Sequence, residues 1–148
     1  MKFSFLIIFA LFGFFNHSFG VEKLTINDVL KLEISDQKAH QTLDAKAVLG
    51  YTAPDFELVE LDGKTISREI YALRASQLFE RLSHYMSKRS NHKISISEDG
   101  KSAILKYYQE EKVMMKLNGM VHSSSQNIKV SIGIINGRPM FTRAEFIN

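Results

Sequence analysis

The spacing of apolar positions along this chain changes near Ile94, from roughly helical to strand-like alternation. Before that point, Ile26, Val29, Leu30, Leu32 and Ile34 predict a helix capped by Asn27, with Asp28 near the positive end of its dipole, fraying near Ser35-Asp36. A second, short helix is expected from Thr42 or Asp44 to Tyr51, with Leu43, Ala47, Val48 and Tyr51 on one face and Gly50 near its end. Pro54 has no backbone donor and biases Ala53 toward extended geometry, so a strand over 56–61 should follow. Phe56, Leu58 and Glu60 would share one face of it. Asp62-Gly63 reads as a turn, and Ser67 as the cap of a long helix whose stripe Ile70, Leu73, Leu78, Leu82 and Met86 runs to about Lys88.

After the change of period the chain reads as strands. Ile94 and Ile96 alternate with Ser95 and Ser97, and a hairpin turn is expected at Glu98-Asp99-Gly100-Lys101. Long strands over 102–117 and 120–135 flank Asn118-Gly119, and a last strand over 139–147 follows the turn at Asn136-Gly137-Arg138. Helices followed by an antiparallel meander define an α+β domain.

A two-residue turn at Asn118-Gly119 would set the register of the long hairpin, facing Leu117 with Met120, Glu111 with Gln126 and Ala103 with Ile134. One face then carries Ala103, Leu105 and Tyr107 at its apolar end, and Gln109, Glu111, His122, Ser124 and Gln126 further along. The other face carries Lys106, Lys112, Lys116, Lys129 and several serines. A carboxylate flanked by amides and an imidazole suits acid–base or ligand-binding chemistry, so Glu111 and His122 are candidate catalytic residues and Tyr107, Gln109 and Gln126 candidate ligand contacts. The alternative is structural: one bulge, or a hairpin projecting past the helices, would leave the same groups in water. The last strand has two readings as well. A three-residue loop with a bulge turns Met140, Thr142, Ala144 and Phe146 inward, the favoured outcome because it buries no charge. A two-residue loop turns in Phe141, Arg143 and Glu145.

Composition adds limits. Lys2, the apolar run over 3–15 and Ser18-Phe19-Gly20 read as a secretory signal peptide over 1–20, leaving a single domain over 21–148 in the periplasm or outside the cell, with no stable membrane span after cleavage. The chain has no Cys, which excludes disulfides, a thiolate metal site and a lipidated Cys at the cleavage site. A net charge of +3, spread along the chain, gives no footprint for nucleic acid. The five His have no metal-ligand spacing, and no phosphate loop or dinucleotide fingerprint implies a cofactor. Lys88-Arg89 and His92-Lys93 read as a solvated helix end.

The helical Asp44, the corner Tyr51-Thr-Ala-Pro-Asp55-Phe56, the turn Asp62-Gly63, the long helix and the paired strands together resemble the nuclear transport factor 2-like superfamily, especially its SnoaL-like and ketosteroid-isomerase-like branches. The resemblance spans roughly 44–146. It implies a cone-shaped fold, N-terminal helices packed on a curved antiparallel sheet around a pocket, and a homodimer joined through the outer sheet face. It also places Glu60 near the position of the catalytic base in ketosteroid isomerases, makes Phe56 a pocket wall, and leaves Tyr51 lining the mouth or packing. Members of the superfamily include enzymes, binders and assembly modules, so two functions stay open. One is a non-catalytic binding or interaction module of the bacterial envelope with a small apolar or amphipathic ligand. The other is an isomerase, dehydratase or cyclase using a pocket carboxylate as general base.

Overall fold

Residues 20–147 are described by the structure, a computed structural model. The expected signal segment, apart from Gly20, lies outside them. The elements are α1 (Ile26–Gln41), α2 (Ala45–Gly50), β1 (Thr52–Val59), β2 (Thr65–Ser67), α3 (Arg68–Arg81), β3 (Leu82–Ile96), β4 (Ser102–Met115), β5 (Val121–Ile135) and β6 (Arg138–Ile147). The six strands form one sheet in the order β2-β1-β6-β5-β4-β3. All neighbours are antiparallel except β1 and β6, so the sheet is mixed. The α+β architecture is as the sequence predicts.

Each helix starts where a side chain can satisfy its first free N–H groups. Thr25, not Asn27, caps α1: Thr25 Oγ1 accepts from the Asp28 backbone N–H at 3.2 Å, and the Asp28 carboxylate accepts from the Thr25 N–H at 2.9 Å. The reciprocal pair outcompetes a lone Asn. The helix does not fray at Ser35-Asp36 but continues to Gln41, because Val29, Leu32, Glu33, Asp36 and Ala39 bury one continuous face. Asp44 caps α2 through the Ala47 N–H, and Ser67 caps α3 through the Ile70 N–H. Arg68, the first residue of α3, donates to the Leu49 carbonyl and to Thr52 Oγ1, each at 2.9 Å, joining the end of α2 to the start of α3.

The expected length of α3 is corrected. It stops at Arg81, and Leu82 onward is strand. Its buried face is Ala75 and Phe79 with half-buried Tyr71, while Ile70, Leu73 and Leu78 are exposed. The stripe that suggested seven further helical residues belongs to two elements: Leu82 is buried as the first residue of β3, and Met86 points outward. The first strand also starts earlier than expected, at Thr52. Pro54 falls in the irregular stretch of β1 between its pairings with Phe141 and Arg143, where no ladder donor is required.

The long hairpin is shifted by two residues from a two-residue turn: Met114 faces Val121 and Glu111 faces Ser124. Residues 116–119 form the loop, with Gly119 at φ +67° and its N–H donating to the Met115 carbonyl. A shift of two keeps every side chain on its expected face. The last turn is a two-residue one, with Ile135 facing Arg138 and both Asn136 (φ +51°) and Gly137 (φ +72°) left-handed. A bulge at Thr142 follows, since Ile132 faces Phe141 while Ser131 faces Arg143. The favoured inward set is therefore corrected. Phe141 is buried, Ala144 and Phe146 turn inward beyond the bulge, and Met140 and Thr142 do not line the interior. Arg143 stays on the outer face, bonded to Glu57 at 2.8 Å and Glu145 at 2.7 Å.

One end of the cone is sealed. Leu24, Val29, Leu32, Phe56, Ala103, Leu105, Val130, Ile132 and Phe141 belong to a single apolar cluster. The segment before α1 is tied across this end: the Val21 N–H donates to the Gly137 carbonyl at 2.7 Å, and the Leu24 N–H to the Gly100 carbonyl at 2.8 Å. A second cluster, Ala39, Val48, Phe79, Leu82 and Tyr85, joins the helices to the start of β3.

Candidate functional site

Between α1, α3 and the inner sheet face lies a cavity of about 450 Å³. Its walls are largely carbon, from Phe56, Tyr71, Phe79, Ile128, Val130, Phe141 and Phe146. Along β4 the inward positions run from buried Leu105, Tyr107 and Gln109 to half-buried Glu111 and Val113. Along β5 they run from buried Val130 and Ile128 through Gln126 to exposed Ser124 and His122. The inner face of this hairpin is apolar at its Leu105 and Val130 end and polar toward Glu111 and His122.

A continuous series of hydrogen bonds crosses the site. Arg89 Nη2 donates to Asp36 Oδ2 at 2.9 Å, and Arg89 Nη1 reaches Glu33 Oε1 at 3.4 Å. Arg89 Nε donates to Gln109 Oε1 at 2.9 Å, and Gln109 Nε2 donates to Glu111 Oε2 at 3.0 Å. The Tyr85 hydroxyl donates to the same carboxylate oxygen at 2.7 Å, and Ser124 Oγ donates to Glu111 Oε1 at 2.7 Å. The guanidinium has only donors and the carboxylate only acceptors in this arrangement, which fixes the orientation of the Gln109 amide between them.

Burial opposes the charge on Arg89, whose side chain is 4% exposed. Tyr107, Asp36 and Glu33 outweigh that penalty and hold the guanidinium above its ordinary range. Its charge also lies 5.0 Å from the Tyr107 ring centre, and His92 stacks on Tyr107 at 5.8 Å. Burial, followed by the negative charge of Glu111 and the hydrogen bond to it, pushes the Tyr85 hydroxyl above the usual tyrosine value of 10.0. Burial likewise raises Tyr71 and Tyr107.

His40 lines the cavity from the last turn of α1. Its Nδ1 lies 2.9 Å from the Asp36 carbonyl oxygen and 3.4 Å from Asp36 Oδ1, and its ring packs between Phe79 and Tyr85 at 5.8 and 5.7 Å. If Nδ1 carries the proton, Nε2 presents a lone pair.

Of the residues singled out from sequence, Phe56, Tyr107, Gln109, Glu111, His122 and Gln126 line this cavity. Glu60 and Tyr51 do not. Glu60 lies at the end of β1 in a 2.6 Å ion pair with Arg74. Tyr51 is wedged between the two apolar clusters, with its carbonyl accepting from the Phe141 N–H. Asp36, His40, Tyr85 and Arg89 also line the cavity, although the sequence pattern gives Tyr85 a packing role on a helix stripe, puts Arg89 in a solvated helix end and marks neither Asp36 nor His40 as a site residue. Glu33 and Asp36 do interrupt the apolar stripe of α1, the one signal that would have found the cluster. Among the described residues no group of three or more His, Asp or Glu side chains is placed to hold a metal ion, and no helix is long and apolar enough to cross a membrane.

No family model and no curated protein matches this sequence. Solved structures do match its shape. A candidate scytalone dehydratase from Novosphingobium aromaticivorans superposes with a TM-score of 0.74 at 10% identity, covering 81% of this chain and 80% of its own. A candidate dehydratase of the nuclear transport factor 2-like family from Streptomyces avermitilis gives 0.71 at 8% identity, covering 83% and 97%. A nuclear transport factor 2-like superfamily protein from Salmonella enterica gives 0.69 at 10% identity, covering 82% and 89%. Identities this low speak to the fold alone, and that fold, helices on a curved mixed sheet enclosing a cavity, is the nuclear transport factor 2-like cone.

Proposed function

We propose that this protein is a small-molecule-binding module of the bacterial envelope or extracellular space, taking a mostly apolar ligand into the cone. The observation that carries this reading is the cavity: about 450 Å³ of apolar wall with a few polar groups converging at its open end. Binding sites for small molecules have this composition and volume range. The apolar run over 3–15 ahead of Gly20 supports the location. Native mass spectrometry of the purified protein should show a non-covalent adduct absent from the denatured mass. Calorimetry should show uptake of a neutral aromatic probe, 4-phenylbutanol. Filling the cavity by Val130→Trp should remove both. A folded protein with neither adduct nor probe binding overturns the proposal.

A second reading, proton-transfer catalysis of the isomerase, dehydratase or cyclase type, is favoured by two groups in the cavity. His40 is oriented by Asp36, and Glu111 accepts from three donors. Two of the structural neighbours also carry dehydratase names. A general base must lie within hydrogen-bond reach of the proton it removes, and these two groups face the same enclosed space. Incubating the co-purified molecule with the protein in D₂O checks this. Catalysed uptake of deuterium at carbon, lost in Glu111→Gln or His40→Gln while binding persists, supports an enzyme. No uptake leaves a binder.

A further inference from the structure

We infer that the ligand of this cavity carries a positive charge of the alkylammonium class, seated at Glu111; the inference rests on the ligand-binding reading above. The Asp, Glu, Lys and Arg side chains lining the cavity are Asp36, Arg74, Arg89 and Glu111. Arg74 is held by Glu60 at 2.6 Å. Arg89 is shared between Asp36 at 2.9 Å and Glu33 at 3.4 Å, so two carboxylates already surround one guanidinium. Glu111 forms no ion pair among the described residues.

What surrounds Glu111 instead is a set of three neutral donors: the Tyr85 hydroxyl, the Gln109 amide and the Ser124 hydroxyl. They hold the carboxylate in place and add no counter-charge. A carboxylate has about four lone-pair positions, so three donors leave one acceptor site open. Glu111 is half-buried and lines the cavity. An ammonium group there would supply both the missing donor and the missing charge, and charge-assisted hydrogen bonds are the stronger kind. The aromatic rings of Tyr85 and Phe79, both in the lining, suit a cation wherever a ring face is presented to it. A carboxylate-bearing ligand would meet at Glu111 a like charge that has no ion-pair partner beside it. A neutral ligand would leave Glu111 without a counter-ion.

Three probes with one apolar body separate the possibilities: 4-phenylbutylamine, 4-phenylbutanol and 4-phenylbutyrate, each titrated calorimetrically into the purified protein at neutral pH. The amine should bind roughly tenfold more tightly than the alcohol, the gain expected from one charge-assisted contact, and the acid most weakly. Glu111→Gln should abolish the preference, bringing the affinity of the amine down to that of the alcohol. The order of the three probes in the unaltered protein decides the matter even where that variant does not fold. Equal binding of amine and alcohol, or tighter binding of the acid, overturns the inference while leaving the cavity as a binding site. Failure of all three probes overturns the inference, and together with the absence of a co-purified adduct it overturns the binding reading as well.

Discussion

At the Ala103 end of β4 the inward side chains belong to an apolar cluster, whereas eight residues along the same face Glu111 is held by a hydroxyl, an amide and a second hydroxyl. The strand and its alternation are the same at both ends. What differs is the layer above. Over the first half, α1 and the segment leading into it close the cone with Leu24, Val29 and Leu32. Further along, α1 brings Glu33 and Asp36 instead, and β3 answers with Arg89. The dry end holds the fold by excluding water, and such burial is insensitive to the exact partner. The polar end holds together by pairing, so each group there depends on particular neighbours.

Removing one member from each end exposes the difference. Arg89→Ala should have the largest effect, costing about 3–5 kcal/mol, because it strands the buried carboxylates of Glu33 and Asp36 without their cation. Urea unfolding monitored by circular dichroism measures it, and a loss below about 1 kcal/mol would show that the cluster is solvated. Leu105→Ala, at a fully buried position of the dry end, should cost about 3 kcal/mol through lost burial and a residual void. The two variants should diverge in a second measurement. Ligand binding by the folded fraction should survive Leu105→Ala and fail in Arg89→Ala, since Arg89 positions Gln109 and, through it, Glu111.

The smallest effect should appear on raising the pH. Tyr71, Tyr85 and Tyr107 are held above the usual 10.0, in each case first by burial. The folded protein therefore keeps protons that the unfolded chain releases above pH 10.0. Their contribution is complete below that value and is lost as pH rises through the folded-state values. The share of stability that comes from these tyrosines should be constant through neutral pH and fall above pH 10. The absorbance of three of the five tyrosinates should emerge only with unfolding. Tyr85→Phe should lessen that fall. Titration of all five tyrosines in the folded state near pH 10 would place Tyr71, Tyr85 and Tyr107 in water.

The inner face of the long hairpin was legible in the sequence for a reason that also limited the reading. Period-two alternation fixes which residues share a face, and the four-residue loop over 116–119 moved the register by an even number, leaving the faces intact. Pair partners were not legible, because they depend on loop length. The helix-to-strand boundary at Arg81 was not legible either. Leu78, Leu82 and Met86 continue a 3.6 period across it, while the packing that ends the helix, Phe79 and Leu82 against Ala39 and Val48, involves residues more than thirty positions away. That misplaced boundary turned Arg89 into a helix end in the sequence reading. On β3 it follows Tyr85 at strand spacing and points into the cone. The chemistry of the site depends on α1 meeting β3 in space, and nothing local in either segment announces the meeting.

Thr142 acts on the last strand as an inserted letter acts on a reading frame. Without it, the strand that turns Phe141 inward would go on to turn in Arg143 and Glu145, delivering two charges to the cavity and sending Ala144 and Phe146 to the surface. One residue, whose hydroxyl donates only to the Ser131 carbonyl at 3.2 Å, keeps the message in phase with the strand beside it. Deletions and insertions in β6 should therefore be tolerated only in pairs, whereas most substitutions at Thr142 itself should pass unnoticed.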